Sequence, residues 1–301
     1  MKTFYSIFVI LSLLFSSQAF SQEKIEIRED NVDMSMGNKP AYIIMIPQAN
    51  MKDVLKSWKK KIKQNTKAKV EQNGAEHSIK GTLITEIYSD PINIYSAVIQ
   101  VDSSVKLISL FEVDSIFFTP GVQDSHIDNE RTYQGIKNFV YGFALEEYKN
   151  AVSDELKLEG NNLKNLANEL EKLEKQNTNY HKTIASNEQN IQRSESEIVL
   201  LEKQQERNLD DIDKNRSNVS SASKDEEKGA KKILKESEKE KKSIENKFEK
   251  EKKKIIDYNS KISENTRLAE ENLIAQVAKK EDIEVQKAIV DKVTQKLSNI
   301  K

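Results

Sequence analysis

One short segment combines side chains that bind metal ions, and it reads Asp124-Ser-His126-Ile-Asp128-Asn-Glu130. Carboxylate oxygens and an imidazole at this density are suitable ligands for a divalent cation. The alternative is a polar loop that ends in a helix cap, because Asp128 or Asn129 can accept a hydrogen bond from the first turn of a following helix. Both hypotheses stay open, with Asp124, His126, Asp128 and Glu130 as the candidate metal ligands.

A second group of candidate binding residues lies around Trp58, and it consists of Lys52, Lys56, Lys59, Lys60 and Lys63. Asn50 can cap a helix from Met51 to about Gln64, on which an apolar stripe holds Met51, Leu55, Trp58 and Ile62, with Val54 beside them. The lysines fall off this stripe. We therefore expect Trp58 to be buried and the lysines to face water. The alternative is that they bind an anionic ligand of the cell envelope.

Composition excludes several kinds of chemistry. The chain has no cysteine and only three histidines, so thiol catalysis, cysteine–zinc sites and a Ser–His–Asp set find no support. Its formal net charge is −1, which gives no long-range attraction to nucleic acid. We expect no enzymatic activity, no cofactor and no nucleic-acid partner.

The N-terminus has the pattern of a secretory signal peptide. Lys2 precedes an apolar run over residues 7–15, and small and polar residues follow up to Ser21. The apolar run is too short for a stable membrane anchor, and Ala19-Phe-Ser21 fits a cleavage site. We expect cleavage after Ser21 and a periplasmic or secreted protein. Without cysteine, lipidation at a cysteine after the signal is excluded.

Residues 22–128 predict an α+β domain with an antiparallel sheet. Strands are expected at residues 24–28 and 41–46, around 69–71, and at 78–88, 92–101 and 105–113. The last two strands are joined by a short hairpin connection that begins at Asp102. A further helix, with Tyr133, Ile136, Phe139, Val140 and Phe143 on one face, should pack on this sheet.

After this domain the sequence follows a heptad pattern. Apolar residues recur every seven positions from Leu156 to Ile212, and again from Leu234 to Leu297. A Ser- and Asn-rich break at 216–225 separates the two runs, and Ser223 or Asp225 can cap the second helix. The pattern predicts an antiparallel helical hairpin that folds back near residue 222. Polar residues occupy several of its seam positions, among them Asn177, Asn187, Ser194, Glu251, Asn265, Asn272 and Gln276.

The predicted organisation is therefore an α+β head with a small antiparallel sheet, followed by a long antiparallel coiled-coil hairpin. Its parts are a signal peptide at 1–21, the head at 22–130, a long helix at 131–215, the hairpin tip at 216–224, and a returning helix at 225–301.

Two segments carry a resemblance to a known group of proteins: Trp58-Lys-Lys-Lys-Ile-Lys with Ala68-Lys-Val70, and Tyr133-Gln-Gly-Ile-Lys-Asn-Phe139. The chain resembles exported bacterial proteins of unknown function that have small α+β heads and helical coiled-coil tails. The resemblance implies no activity. In architecture the chain is also similar to periplasmic holdase chaperones with hairpin arms, which are usually more basic.

These observations favour an exported, non-enzymatic binding or scaffolding protein of the cell envelope. Its partner would be an envelope protein or an anionic surface ligand, or a second copy in a homo-oligomer formed through the coiled coil. One alternative is a periplasmic chaperone-like clamp that uses the helical arms. Another is a metal-dependent enzyme built on the head.

Overall fold

The computed structural model of the chain describes residues 25–119 and 128–301. Its elements are β1 (Ile27–Met34), β2 (Gly37–Ile46), α1 (Met51–Ile62), β3 (Glu71–Asn73), β4 (Glu76–Thr82), β5 (Ile92–Val101), β6 (Ser104–Val113), β7 (Ile116–Phe117), α2 (Asn129–Ser221) and α3 (Glu227–Asn299). The fold is α+β, with an antiparallel sheet and a long helical hairpin, as predicted. The chain divides into two compact units, one formed by Met1–Asn161 with Ala288–Lys301 and the other by Asn162–Lys287.

The first unit is built on a seven-stranded sheet in the order β1-β2-β6-β5-β4-β3, with β7 paired to β6. All neighbouring strands are antiparallel. Helix α1, the start of α2 and the end of α3 bury their apolar residues on one face of the sheet, where Trp58, Phe139 and Val293 share one core. Burying this apolar surface is the main stabilising contribution to the unit.

The opposite face of the sheet has a smaller apolar cluster, which contains Ile43, Ile108 and Leu110. Val32 and Met34, at the end of the β1–β2 hairpin, pack against it. The turn of this hairpin reaches β4, because the backbone N–H of Ser35 donates to the carboxylate of Glu76 across 2.9 Å. The second face is therefore partly covered by the chain itself.

Several strand predictions differ from the structure. The strand expected around residues 69–71 lies at Glu71–Asn73, and the one expected at 41–46 begins at Gly37. The predicted edge strand at residues 24–28 lies later, at Ile27–Met34, and Lys24 is outside the described residues. The strand predicted at 78–88 ends at Thr82, and Ile84–Tyr88 forms a turn in which Tyr88 N–H donates to Ile84 C=O across 3.0 Å. Gly81, with φ of +67°, permits the irregularity at the end of β4.

The second unit is an antiparallel pair of helices, each about 60 residues or about 90 Å long at 1.5 Å per residue. Leu201, Ile212, Ile244 and Ala269 are buried in its seam. Contacts between the helices join Asn208 Nδ2 to the Ser237 carbonyl oxygen (3.1 Å) and Lys279 Nζ to Glu169 (2.9 Å). The midpoints of these pairs lie between residues 222 and 224, close to the predicted fold-back near residue 222.

The hairpin tip is shorter than predicted, because α2 continues to Ser221. The hydroxyls of Ser217, Ser220 and Ser221 donate back to carbonyl oxygens four residues earlier, so these residues stay within the helix instead of ending it. The connection then forms a capping arrangement. Ser223 Oγ donates to the Glu226 carboxylate (2.7 Å), and the Ser223 carbonyl accepts from Glu227 N–H.

Candidate interaction surface on the helical hairpin

Lys52, Lys56, Lys59 and Lys60 lie on α1, with Trp58 on the buried side. The helix ends at Ile62, before the predicted Gln64, and Lys63 is its C-cap. Asn50 caps this helix through a 2.9 Å hydrogen bond from Lys52 N–H to its side-chain oxygen. Trp58 is fully buried, whereas Lys52, Lys56, Lys60 and Lys63 are exposed and Lys59 is half-buried. The predicted apolar stripe needs one correction. Met51 is 40% exposed, whereas Val54, also on the predicted stripe, is buried.

One lysine of α1 that the candidate set omits points toward the core. Lys61 Nζ lies 5.0 Å from the centroid of the Phe139 ring and 4.0 Å from the Glu86 carboxylate. Its aliphatic stem therefore covers apolar surface while its charge stays near water. The remaining lysines form a solvated face on which no bound anion is needed to explain the fold.

The proposed metal ligands are only partly described. Asp124 and His126 lie outside the described residues. Asp128 acts as the cap of α2, since its carboxylate accepts from Arg131 N–H (3.1 Å) and its carbonyl from Thr132 N–H (3.0 Å). Glu130 accepts a hydrogen bond from Gln134 one turn later (3.0 Å). Residues 25–119 and 128–301 contain no group of three potential metal ligands.

A polar cluster that sequence reasoning missed joins β1 to α2. Tyr133 OH donates to Glu29 Oε1 across 2.7 Å, and Lys137 Nζ donates to the Tyr133 oxygen across 3.2 Å. The hydroxyl of Tyr42 is buried nearby without a hydrogen-bond partner, and burial raises the pKa of Tyr42. The hydrogen bond to Glu29 likewise raises the pKa of Tyr133. Both phenols are neutral at physiological pH, so this cluster supplies no nucleophile and serves to position α2.

The second unit exposes a long surface on α3, on the side away from the seam. We call this surface the outer face of α3; it follows the helical spacing of three and four residues from Lys239 to Glu284. Its first part carries Lys239, Lys242, Lys250 and Lys253, which we call the basic stretch. All four side chains are exposed, and none forms a salt bridge with any residue that the structure describes. By contrast, the neighbouring Lys241 and Lys252 form salt bridges with glutamates of the same helix.

The other end of the outer face is acidic and apolar. We call it the acidic–apolar stretch; it comprises Glu270, Ile274, Val277, Glu281 and Glu284. Ile274 is 69% exposed and Val277 is 58% exposed. In the part of the chain that the structure describes, Glu270 and Glu281 form no salt bridge, and Glu284 pairs with Lys287 of its own helix at 2.7 Å.

This stretch reverses the usual arrangement of a two-helix pair. Asn272 and Gln276 are buried in the seam, where Gln276 Nε2 donates to Asn272 Oδ1 across 2.7 Å. Ile274 and Val277, their neighbours in sequence, are exposed to water. Exposed apolar side chains that lie together on one side of a helix make this stretch a candidate binding surface. The heptad pattern does not reveal the exposed Ile274 and Val277, because it describes only the seam positions.

Comparisons with known proteins found no family that matches the chain and no curated protein that matches it. In the described ranges, with their gap at 120–127, no helix has an apolar stretch of the length that crossing a membrane requires.

Proposed function

We propose that the protein is an exported, non-enzymatic binding or scaffolding protein of the cell envelope that uses the outer face of α3 as its binding surface. The observation that carries the proposal is the reversal around residues 272–277, where amides fill the seam while Ile274 and Val277 are exposed. Leaving these apolar side chains in water is unfavourable, and covering them with a partner recovers that free energy. The N-terminal sequence pattern supports export.

The first unit holds the start of α2 and the end of α3 together. Its core includes residues from α1, α2 and α3. Lys296 Nζ donates hydrogen bonds to the carboxylate of Glu155 (3.1 Å) and to the side-chain oxygen of Gln48. Tyr141 OH also donates to the carbonyl oxygen of Lys301 across 3.3 Å. These contacts hold both ends of the hairpin helices within the first unit. The solvated lysines of α1 are the second candidate surface, for an anionic envelope ligand.

The test combines fractionation with crosslinking in cells of the source organism. A photo-crosslinking amino acid replaces Val277 on the outer face of α3, and in a matched control it replaces Gln189, an exposed residue of α2. We expect a mature N-terminus near Gln22, recovery in the envelope fraction or the medium, and crosslinks from position 277 that position 189 does not give. A cytoplasmic protein that retains Met1, or equal crosslinking at both positions, overturns the proposal.

The chaperone-like clamp remains the alternative, favoured by the exposure of Leu273, Ile274 and Val277. A clamp of this kind should suppress the aggregation of a thermally unfolding enzyme when added in comparable amounts. Replacing Ile274 and Val277 by serine should abolish that suppression. If the protein is a scaffold, neither the wild type nor the serine variant should suppress aggregation.

A further inference from the structure

We infer that the outer face of α3 is an interface between two copies of this chain, which lie antiparallel and pair the basic stretch of each with the acidic–apolar stretch of the other. This inference rests on the proposed use of that face as a binding surface, and it names the partner. The positions along α3 of the charges without salt bridges support it.

The charges of the outer face are arranged in a self-complementary order. In an antiparallel pair with its two-fold axis between Lys261 and Ile262, Lys239 of one copy lies opposite Glu284 of the other. The same arrangement places Lys242 opposite Glu281 and Lys253 opposite Glu270. Two-fold symmetry repeats each of these contacts, because an isologous interface uses the same patch on both copies. Each of these lysines, which has no salt bridge with the described residues of its own chain, thus lies opposite a carboxylate of the second copy. Of these carboxylates, Glu270 and Glu281 also have no salt bridge within the described part of their chain.

The middle of the face permits close approach of the two helices. Ser260 and Ser263 are exposed and lie opposite each other at the two-fold axis. Their small side chains allow two helix backbones to come near one another, whereas long side chains at the crossing point would hold them apart.

The same arrangement also covers the exposed apolar side chains of the outer face with side chains of the second copy. Val277 lies opposite Asn246, and Ile274 lies opposite Glu249, which pairs with Lys252 of its own helix. The stems of Lys250 and Lys253 from the second copy flank Ile274, and their methylene groups can cover apolar surface. Ile256, which is 67% exposed, lies opposite Arg267. The charged groups remain at the rim, where water reaches them.

The contact is long enough for a specific dimer. From Lys239 to Glu284 the helix runs for about 70 Å at 1.5 Å per residue. Its outer positions over this length contribute about twenty side chains from each copy, which is within the range of stable interfaces. Because charge pairs dominate, the association should weaken steeply as salt increases.

The experiment measures the mass of the purified mature full-length protein by sedimentation equilibrium. We expect a dimer in low salt that dissociates toward monomer in about 0.5 M salt, where charges are screened over a few Å. An acidic variant carries Lys239→Glu, Lys242→Glu and Lys253→Glu, and a basic variant carries Glu270→Lys, Glu281→Lys and Glu284→Lys. Each variant alone should be monomeric, because like charges then face each other. An equimolar mixture of the two should form dimers again.

A matched control has Lys59→Glu, Lys60→Glu and Lys63→Glu on α1, which changes the net charge as much as the acidic variant does. It should dimerise like the wild type. Circular dichroism verifies that every variant keeps its helix content. A monomeric wild type in low salt, or a mixture that stays monomeric, overturns the inference. Monomers that instead bind vesicles of anionic lipid through the basic stretch overturn it as well. Because it uses purified protein, this result is independent of where the protein resides in the cell, which the crosslinking experiment decides separately.

Discussion

The indole N–H of Trp58 donates a 2.9 Å hydrogen bond to Oγ of Ser96, in the core of the first unit. The Ser96 hydroxyl in turn donates to the carbonyl oxygen of His77 across 3.2 Å. Both Trp58 and Ser96 are fully buried. The polar atom of the largest core residue is thereby satisfied, and α1 is joined to two neighbouring strands of the sheet.

Replacing Ser96 by alanine should leave the Trp58 N–H buried without a partner. A buried donor that loses its acceptor costs about 1–3 kcal/mol in the free energy of unfolding. The measurement is urea-induced unfolding followed by the fluorescence of Trp58, the single tryptophan of the chain. Ser103→Ala, at an exposed turn position, is the control and should change stability by less than about 0.5 kcal/mol. Equal stability of the two variants would contradict the role given to this hydrogen bond.

Gly135 marks the closest approach between α2 and the turn at Ile84–Tyr88. A Cβ atom added at this residue would lie 2.3 Å from the carbonyl oxygen of Glu86 and 2.9 Å from Cα of Ile87. Because both are backbone atoms, the helix or the turn must move, and Gly135→Ala should cost about 1–3 kcal/mol.

The same helix offers a matched control in Gly142, whose added Cβ would meet nothing within 4 Å. Gly142→Ala should stabilise the protein by about 1 kcal/mol at most, through higher helix propensity. Opposite signs for the two substitutions in urea unfolding are the expected result. A neutral Gly135→Ala would show that the turn yields easily.

The features predicted correctly from the sequence depend on local periodicity. The spacing of Trp58 and Ile62 predicts the buried side of α1, and the 92–101 strand is found as β5 without change. The heptads predict an antiparallel hairpin because apolar residues must face each other. These signals are contained within one element or between two neighbouring elements.

Two of the features that were missed depend on contacts distant in sequence. The turn at Ile84–Tyr88 is packed against Gly135, and Tyr133 bonds Glu29 across 104 residues. Helix α2 passes through its serines because their hydroxyls bond back to the helix, whereas the serine content alone suggested a break. The exposed Ile274 and Val277 occupy positions outside the heptad seam. The sequence pattern does not show that they are exposed while Asn272 and Gln276 are buried in the seam.

The polar seam of the second unit gives a further prediction at Asn187. This side chain is 7% exposed, and its Nδ2 is buried without a hydrogen-bond partner. Asn187→Leu removes an unsatisfied donor and adds apolar burial, so it should stabilise the hairpin by about 1–3 kcal/mol. Thermal unfolding followed by circular dichroism provides the measurement. Gln189→Leu, two residues away and exposed, is the control and should have little effect. A loss of stability at Asn187 would indicate that its amide is satisfied in solution.

His77 should make the first unit sensitive to acid. The ring is 4% exposed, and neither of its nitrogens has a hydrogen-bond partner. Burial lowers the pKa of His77 below 6.5, and the charge of Lys59 lowers it further. The backbone of Ala75 opposes this shift more weakly.

Below pH 6.5 the unfolded chain therefore binds a proton at this position that the folded protein does not, and the free energy of unfolding falls as the pH decreases. Each unit by which the pKa is lowered corresponds to about 1.4 kcal/mol. His77→Leu should remove this contribution and change stability little at pH 7.5, because a hydrophobic side chain replaces an unpaired polar one. Urea unfolding between pH 7.5 and 5, followed by Trp58 fluorescence, should show a smaller decrease for His77→Leu than for the wild type. His181→Leu, at an exposed position of α2, is the control and should follow the wild-type curve. Parallel curves for His77→Leu and the wild type would mean that the His77 ring binds its proton equally well in the folded and unfolded protein.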